Sequence, residues 1–86
     1  MAVEDDIRAI VAEYAKLDVP MDEVTDTTDL FDAGMTSHSS VNLMLALEER
    51  FDFEFPDQLL RRSTFASVSA IKTNILSVLG EGTDGT

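Results

Sequence analysis

Residues 32–51 read Asp32-Ala33-Gly34-Met35-Thr36-Ser37-His38-Ser39-Ser40-Val41-Asn42-Leu43-Met44-Leu45-Ala46-Leu47-Glu48-Glu49-Arg50-Phe51. The stretch changes from turn-formers to helical periodicity. Leu43, Leu47 and Phe51 form an i, i+4, i+8 stripe supported by Met44, which predicts a helix ending near Phe51. Thr36 is its expected N-cap, or Ser37 if the boundary falls one residue later. Gly34 is the only glycine outside the C-terminal tail, and its place before the helix points to a positive backbone torsion or a close approach by another surface. At about 100° per residue, Ser37, Val41, Leu45 and Glu48 lie within about 80° of one another. The Leu43 stripe is centred roughly 100° away from them. If that stripe faces the core, an apolar patch of Val41 and Leu45 lies beside an exposed Ser37 hydroxyl at a helix N-terminus. Such a patch suits a docking partner, with unpaired amides nearby that favour a phosphate.

Working outward, Val3, Ile7, Ile10, Val11 and Tyr14 share one helical face, so a first helix is expected from roughly 3 to 17. Glu4, Asp5 and Asp6 favour its positive end, and Pro20 limits its other end. From Asp18 to Thr36 no period persists, and the residues are turn and cap formers. A connection that long inside a small domain tends to be functional or locally folded. Leu17, Val19, Met21, Val24, Leu30 and Phe31 are spaced to pin it to a core. Phe51 to Phe55 alternates like a strand, but no second alternating run exists to pair with it. It is expected as an extended link, with Pro56 opening a short helix at its first position. Ser63 or Thr64 should cap a final helix with Phe65, Val68, Ile71, Ile75 and Leu79 on one face. Residues 80–86 are expected to form a flexible tail behind a domain spanning 1–79. The fold expected is all-α, a small bundle of three main helices plus one short helix.

Composition removes whole classes of function. Six Lys plus Arg against 17 Asp plus Glu give a net charge of −11, which repels phosphate backbones and anionic lipid surfaces. No nucleic-acid or membrane partner is expected. No apolar run exceeds five residues, Leu43 to Leu47, and the acidic opening is unlike a secretory signal. Zero cysteines exclude disulfides, Cys-based zinc sites and a native thiol nucleophile. A soluble, cytoplasmic monomer is the expectation.

His38 is the only histidine and points about 100° away from Ser37 on a helix, a poor geometry for a catalytic pair. A partner contact or a solvated residue is the better reading. The acidic loop does not match an EF-hand: counted from Asp29, positions 3, 5 and 12 are Phe31, Ala33 and Ser40. No metal site is expected, with weak divalent binding to the loop left open. Glu48, Glu49, Asp52, Glu54 and Asp57 serve solubility or attract a basic partner. Arg61 and Arg62 either pair locally or contact a partner.

Gly34-Met35-Thr36-Ser37-His38, followed by Val41, Leu43, Ala46-Leu47-Glu48-Glu49 and Phe51, resembles the phosphopantetheine attachment region of acyl carrier proteins. The resemblance extends over nearly the whole chain, including Phe55-Pro56-Asp57 before the short helix and Thr64-Phe65 before the last one. It implies an acyl-carrier-like bundle and a carrier, not an enzyme. A separate phosphopantetheinyl transferase would attach the 4′-phosphopantetheine of coenzyme A to Ser37. An acyl- or aminoacyl-loading ligase would charge the terminal thiol as a thioester, and a downstream acyl-transfer enzyme would remove the cargo. No catalytic residues are implied. The expected partner-binding residues are Met35, Thr36, His38, Val41, Asn42, Leu45 and Glu48, of which the helix geometry groups Val41, Leu45 and Glu48 with Ser37. Typical members carry Asp-Ser-Leu where this chain has Thr36-Ser37-His38, and fatty-acid carriers have acids early in this helix where it has Ser39 and Asn42. That neutral head is more similar to carriers of aminoacyl groups, so an aminoacyl cargo is slightly favoured. The rivals are a non-covalent acidic interaction module and, less well supported, a hydrolase using Ser37.

Overall fold

The computed structural model describes residues 3–84. Three helices carry the architecture: α1 (Val3–Tyr14), α2 (Ser37–Phe51) and α3 (Val68–Asp84). Three short 3₁₀ turns, Met21–Glu23, Asp57–Leu59 and Arg62–Phe65, punctuate the connections, and the described residues contain no strand. Helix α1 packs against both α2 and α3. The periodic residues meet where the sequence places them: Ile7, Val11, Leu43, Leu47, Ile71 and Ile75 are fully buried. Burying each such side chain contributes about 1.5–3 kcal/mol.

The helix boundaries show what periodicity alone misses. Helix α1 stops at Tyr14, short of the expected residue 17, because Lys16 turns left-handed at φ 58°. The last helical hydrogen bond runs from Ala15 N–H to the Val11 carbonyl at 3.0 Å. The expected short helix after Pro56 is instead two 3₁₀ turns. Pro56 precedes the first turn in an extended conformation, and Arg61 is extended again at φ −142° and ψ 161° between them. Two interruptions this close leave no room for α-helical closure. Helix α3 starts at Val68, so Phe65 lies in the preceding turn. Its cap is Ser67, whose Oγ accepts from Ala70 N–H at 3.0 Å, not Ser63 or Thr64. The same helix runs past Leu79 through Asp84, over most of the stretch expected as a tail; Gly85 and Thr86 lie outside the described residues.

The long connection is locally folded. Arg8 of α1 reaches across to it, donating to the carbonyls of Val24 at 2.6 Å and Met21 at 3.1 Å, and pairs with Asp26 at 3.4 Å. Leu30 N–H donates to Ala66 O at 2.7 Å, and Ser69 N–H donates to Asp26 O at 2.9 Å, tying the loop to the start of α3. Val24 and Leu30 are buried, while Leu17, Val19, Met21 and Phe31 pack half-buried against the core. The stretch expected as an extended link divides: Phe51 ends α2, Asp52 is its left-handed C-cap at φ 56°, Phe53 N–H turns back to Glu48 O at 3.1 Å, and residues 53–56 form neither helix nor strand. An edge-on contact between the Phe55 and Phe65 rings, 5.1 Å between centroids, fastens that link to the last connection.

Gly34 is required twice over. Its φ of +122° disfavours a side chain, and a Cβ there would sit 2.7 Å from Asp18 Oδ2 and 2.8 Å from the Asp18 backbone nitrogen. That close approach accompanies the bond from Asp18 N–H to Ala33 O, 2.8 Å, which anchors the end of the loop beside the end of α1. Gly34→Ala is therefore expected to cost about 1–3 kcal/mol in a denaturant titration, from backbone strain and displacement of Asp18. An unchanged midpoint would show that the approach is not constrained.

Candidate functional site

The first turn of α2 is built by reciprocal capping. Thr36 Oγ1 accepts from Ser39 N–H at 3.1 Å, and Ser39 Oγ accepts from Thr36 N–H at 2.9 Å. Thr36 itself is extended, at φ −103° and ψ 171°, the backbone shape of an N-cap residue. Ser39 is 3% exposed, which holds the box against the body of the protein. Thr36 thus fills the N-cap role expected of it, without a carboxylate. Immediately after it, Ser37 is exposed, and its hydroxyl takes no hydrogen bond among the described residues. Its carbonyl accepts from Ser40 Oγ at 2.7 Å. His38 is exposed and makes no hydrogen bond with the Ser37 hydroxyl.

Along α2 the two faces separate as the helical wheel requires. Leu43 and Leu47 are fully buried, whereas Val41 and Leu45 are 51% and 52% exposed. Asn42 is also exposed. Two of the residues assigned to the partner face behave differently. Met35 is 3% exposed and belongs to the core, because it lies in the loop's final turn, where its N–H donates to Leu30 O at 3.0 Å. Glu48 is half-buried, and its Oε2 accepts from Phe55 N–H at 2.9 Å. Its carboxylate is committed to the Phe55 amide, which leaves Thr36, His38, Val41, Asn42 and Leu45 as the exposed members of that set.

Ser37 opens onto a groove of about 370 Å³, which periodicity could not reveal because three separate segments form it. Val41 and Met44 supply the α2 wall, Phe31 comes from the long loop, and Leu60 and Phe65 come from the 3₁₀ region. Arg61 and Arg62 line it too. The Arg62 guanidinium lies over the Phe31 ring, 4.0 Å from its centroid, and Arg61 donates Nε and Nη2 to Gln58 O at 2.9 and 2.6 Å. The double arginine was visible in the sequence, but nothing in the spacing links Arg62 to Phe31. Among the described residues no group of three or more His, Cys, Asp or Glu is placed to hold a metal ion, and no helix is long and apolar enough to cross a membrane.

An exposed, unengaged hydroxyl on a rigid helix head, beside an apolar groove, is what a covalently attached flexible arm needs. Residues 5–80 match the family model described as the phosphopantetheine attachment site. The chain belongs to that family. It is 48% identical over 73 residues to the aminoacyl carrier protein of Agrobacterium fabrum, an alignment covering 85% of this chain and 88% of that relative. Its fold is similar to a carrier protein from Agrobacterium tumefaciens solved in complex with an engineered Bradyrhizobium japonicum glycine:[carrier protein] ligase and AMP. There the TM-score is 0.82 and the identity 46%, over 85% of this chain and 97% of that one. A second match is to a structure of the Bradyrhizobium japonicum ligase with a glycylated carrier protein, at TM-score 0.70 and 31% identity, covering 81% and 93% of the two chains. The phosphopantetheine prosthetic group of the family fits the chemistry at the head of α2, where a hydroxyl is available and no cysteine exists to supply a thiol.

The cap makes a stability prediction specific to this family member. Thr36→Ala should lower stability by about 1 kcal/mol, since the buried Ser39 amide loses its acceptor, while Thr36→Asp should retain the cap. Thermal melts of both variants check this, and an Ala variant as stable as the parent would contradict the observed bonding.

Proposed function

We propose that this protein carries an aminoacyl group as a thioester on a 4′-phosphopantetheine arm attached to Ser37, and presents it to partner enzymes. The observation that carries the reading is the Ser37 hydroxyl, exposed and without a hydrogen bond at the capped head of α2. Attachment would join Ser37 Oγ to the β-phosphorus of coenzyme A, breaking the pyrophosphate and releasing adenosine 3′,5′-bisphosphate. The hydroxyl proton would pass to a base of the transferase. No neighbouring base in this chain is required, in keeping with His38 standing apart from the hydroxyl. The chain would then be a substrate and a tether, not a catalyst. Tethering raises the cargo's effective concentration at each docked enzyme. Such work would draw on coenzyme A and an activating ligase, and its proposed location is the cytoplasm.

The aminoacyl cargo rests on two supports. The aminoacyl carrier protein at 48% identity and the glycine-ligase complexes are its similar proteins. Independently, the head of α2 is uncharged, with Thr36 as the cap and Ser39 and Asn42 where fatty-acid carriers have acids. A ligase would then meet an apolar patch, Val41 and Leu45, rimmed by Thr36, His38 and Asn42. Glu48 sits at the far end of this face with its carboxylate turned to the Phe55 amide.

Incubation with coenzyme A and a broad-specificity phosphopantetheinyl transferase should raise the intact mass by one phosphopantetheine, and Ser37→Ala should stay at its starting mass. Equal gain in both proteins would move the attachment elsewhere, and no gain in either would remove the reading.

The faces of α2 make a second prediction. Val41→Ala and Leu45→Ala should slow charging by a glycine:[carrier protein] ligase while shifting stability by no more than about 0.5 kcal/mol. Leu47→Ala, a core truncation, should cost about 2–5 kcal/mol. Equal destabilisation at Val41 and Leu47, read from denaturant titrations, would contradict the division of faces.

A further inference from the structure

We infer that Arg62, with Arg61 beside it, forms an anion-binding wall of the Ser37 groove that holds the phosphodiester of the attached arm against the protein. This inference rests on the carrier reading and adds a resting place for the arm's charged root. The starting point is the distribution of cations in a chain of net charge −11. Arg8 pairs with Asp26 at 3.4 Å, Arg50 with Asp6 at 3.1 Å, and Lys72 with Glu4 at 3.5 Å. Lys16, Arg61 and Arg62 pair with no carboxylate among the described residues. Two of those three line a groove that Ser37 also lines. In a protein so rich in acids, two uncompensated arginines side by side at one groove are a charge arrangement that an anion completes.

Their side chains are also held in place before any ligand arrives. The Arg62 guanidinium lies over Phe31, its central carbon 4.0 Å from the ring centroid, and its N–H donors make no hydrogen bond among the described residues. Arg61 spends Nε and Nη2 on Gln58 O, at 2.9 and 2.6 Å, and keeps Nη1 unengaged. Planar guanidinium donors match phosphate oxygens, and a side chain already ordered loses less entropy on binding. The apolar floor of Val41, Met44, Leu60 and Phe65 lowers the local dielectric, so the attraction counts for more than it would on an open surface. The first-turn amides of α2 add to the same field. A phosphodiester on Ser37 carries one negative charge at all ordinary pH, and the remaining charges of this chain are mostly of its own sign. The arginine wall resolves that repulsion locally. It would restrain the root of the arm while leaving the thiol end free to reach an enzyme.

The test compares apo protein with holo protein prepared enzymatically and verified by mass, both labelled with ¹⁵N on the protein, the arm labelled on its amides. In the holo protein the Arg62 Nε–H resonance should move from its apo position well beyond the movement of Arg8 and Arg50, which are internal controls already paired with carboxylates. The arm amide nearest the phosphate should show restricted motion in its heteronuclear relaxation. Arg62→Gln, and separately Arg61→Gln, should release that amide to the mobility of the thiol end, with the circular-dichroism melt confirming the fold. Raising salt to about 1 M, where the Debye length falls to about 3 Å, should loosen the root in the parent and change little in Arg62→Gln. A holo protein of correct mass with an unmoved Arg62 Nε–H, or equal arm mobility in parent and variants, overturns the arginine wall and leaves the carrier reading standing. Absence of any mass gain overturns the carrier reading and the wall with it.

Discussion

Two short hydrogen bonds between Thr36 and Ser39 decide where α2 begins, and the rest of the site depends on that decision. With the helix starting one residue after Thr36, Ser37 stands on the first turn and faces outward. The same register turns Leu43 and Leu47 to the core and leaves Val41 and Leu45 in water. A start displaced by a single residue would rotate every one of these side chains by about 100°. Gly34 works upstream to the same end. By letting the chain pass within contact of Asp18, it brings the loop back to α1 just before the cap and fixes the direction from which the helix is entered.

Much of this was legible in one dimension, because amphipathic periodicity and caps are local. Ile7 and Val11 in α1, the Leu43–Leu47 stripe and the Val68, Ile71, Ile75 series all sit where their spacing puts them. The exposure of Ser37 followed from the same arithmetic. What escaped depends on backbone turns or on distant partners. Lys16 adopting a left-handed conformation shortens α1, and lysine gives no local sign of it. Met35 has a spacing compatible with either surface, and only the fold of the preceding loop shows that it is core. Ser67 was a readable cap, directly before Val68, but the apolar Phe65 drew the expected boundary upstream. Arg8 binding two loop carbonyls, and Glu48 binding the Phe55 amide, join residues far apart in the chain and leave no trace in local pattern.

The charge of the protein acquires a geometry once the fold is known. Acidic residues dominate overall, and three of the six cations are consumed in pairs with them. The head of α2 is uncharged, and the groove beside it carries two arginines. A surface organised in this way separates a long-range negative field, which favours encounter with basic partners, from a short-range site where an anion is tolerated.

In the proposed function one particular oxygen carries the arm, although three serines crowd the first turn of α2. Ser39 is sealed at 3% exposure in the capping box, and Ser40 donates its hydroxyl to the Ser37 carbonyl at 2.7 Å, so only Ser37 is unengaged. The most direct measurement is fragmentation mass spectrometry of the peptide containing residues 37–40 from protein modified in the cell. Fragment ions that place the phosphopantetheine on Ser37 are the predicted result; its location on Ser39 or Ser40, or an unmodified peptide from cells with an active transferase, would contradict the account.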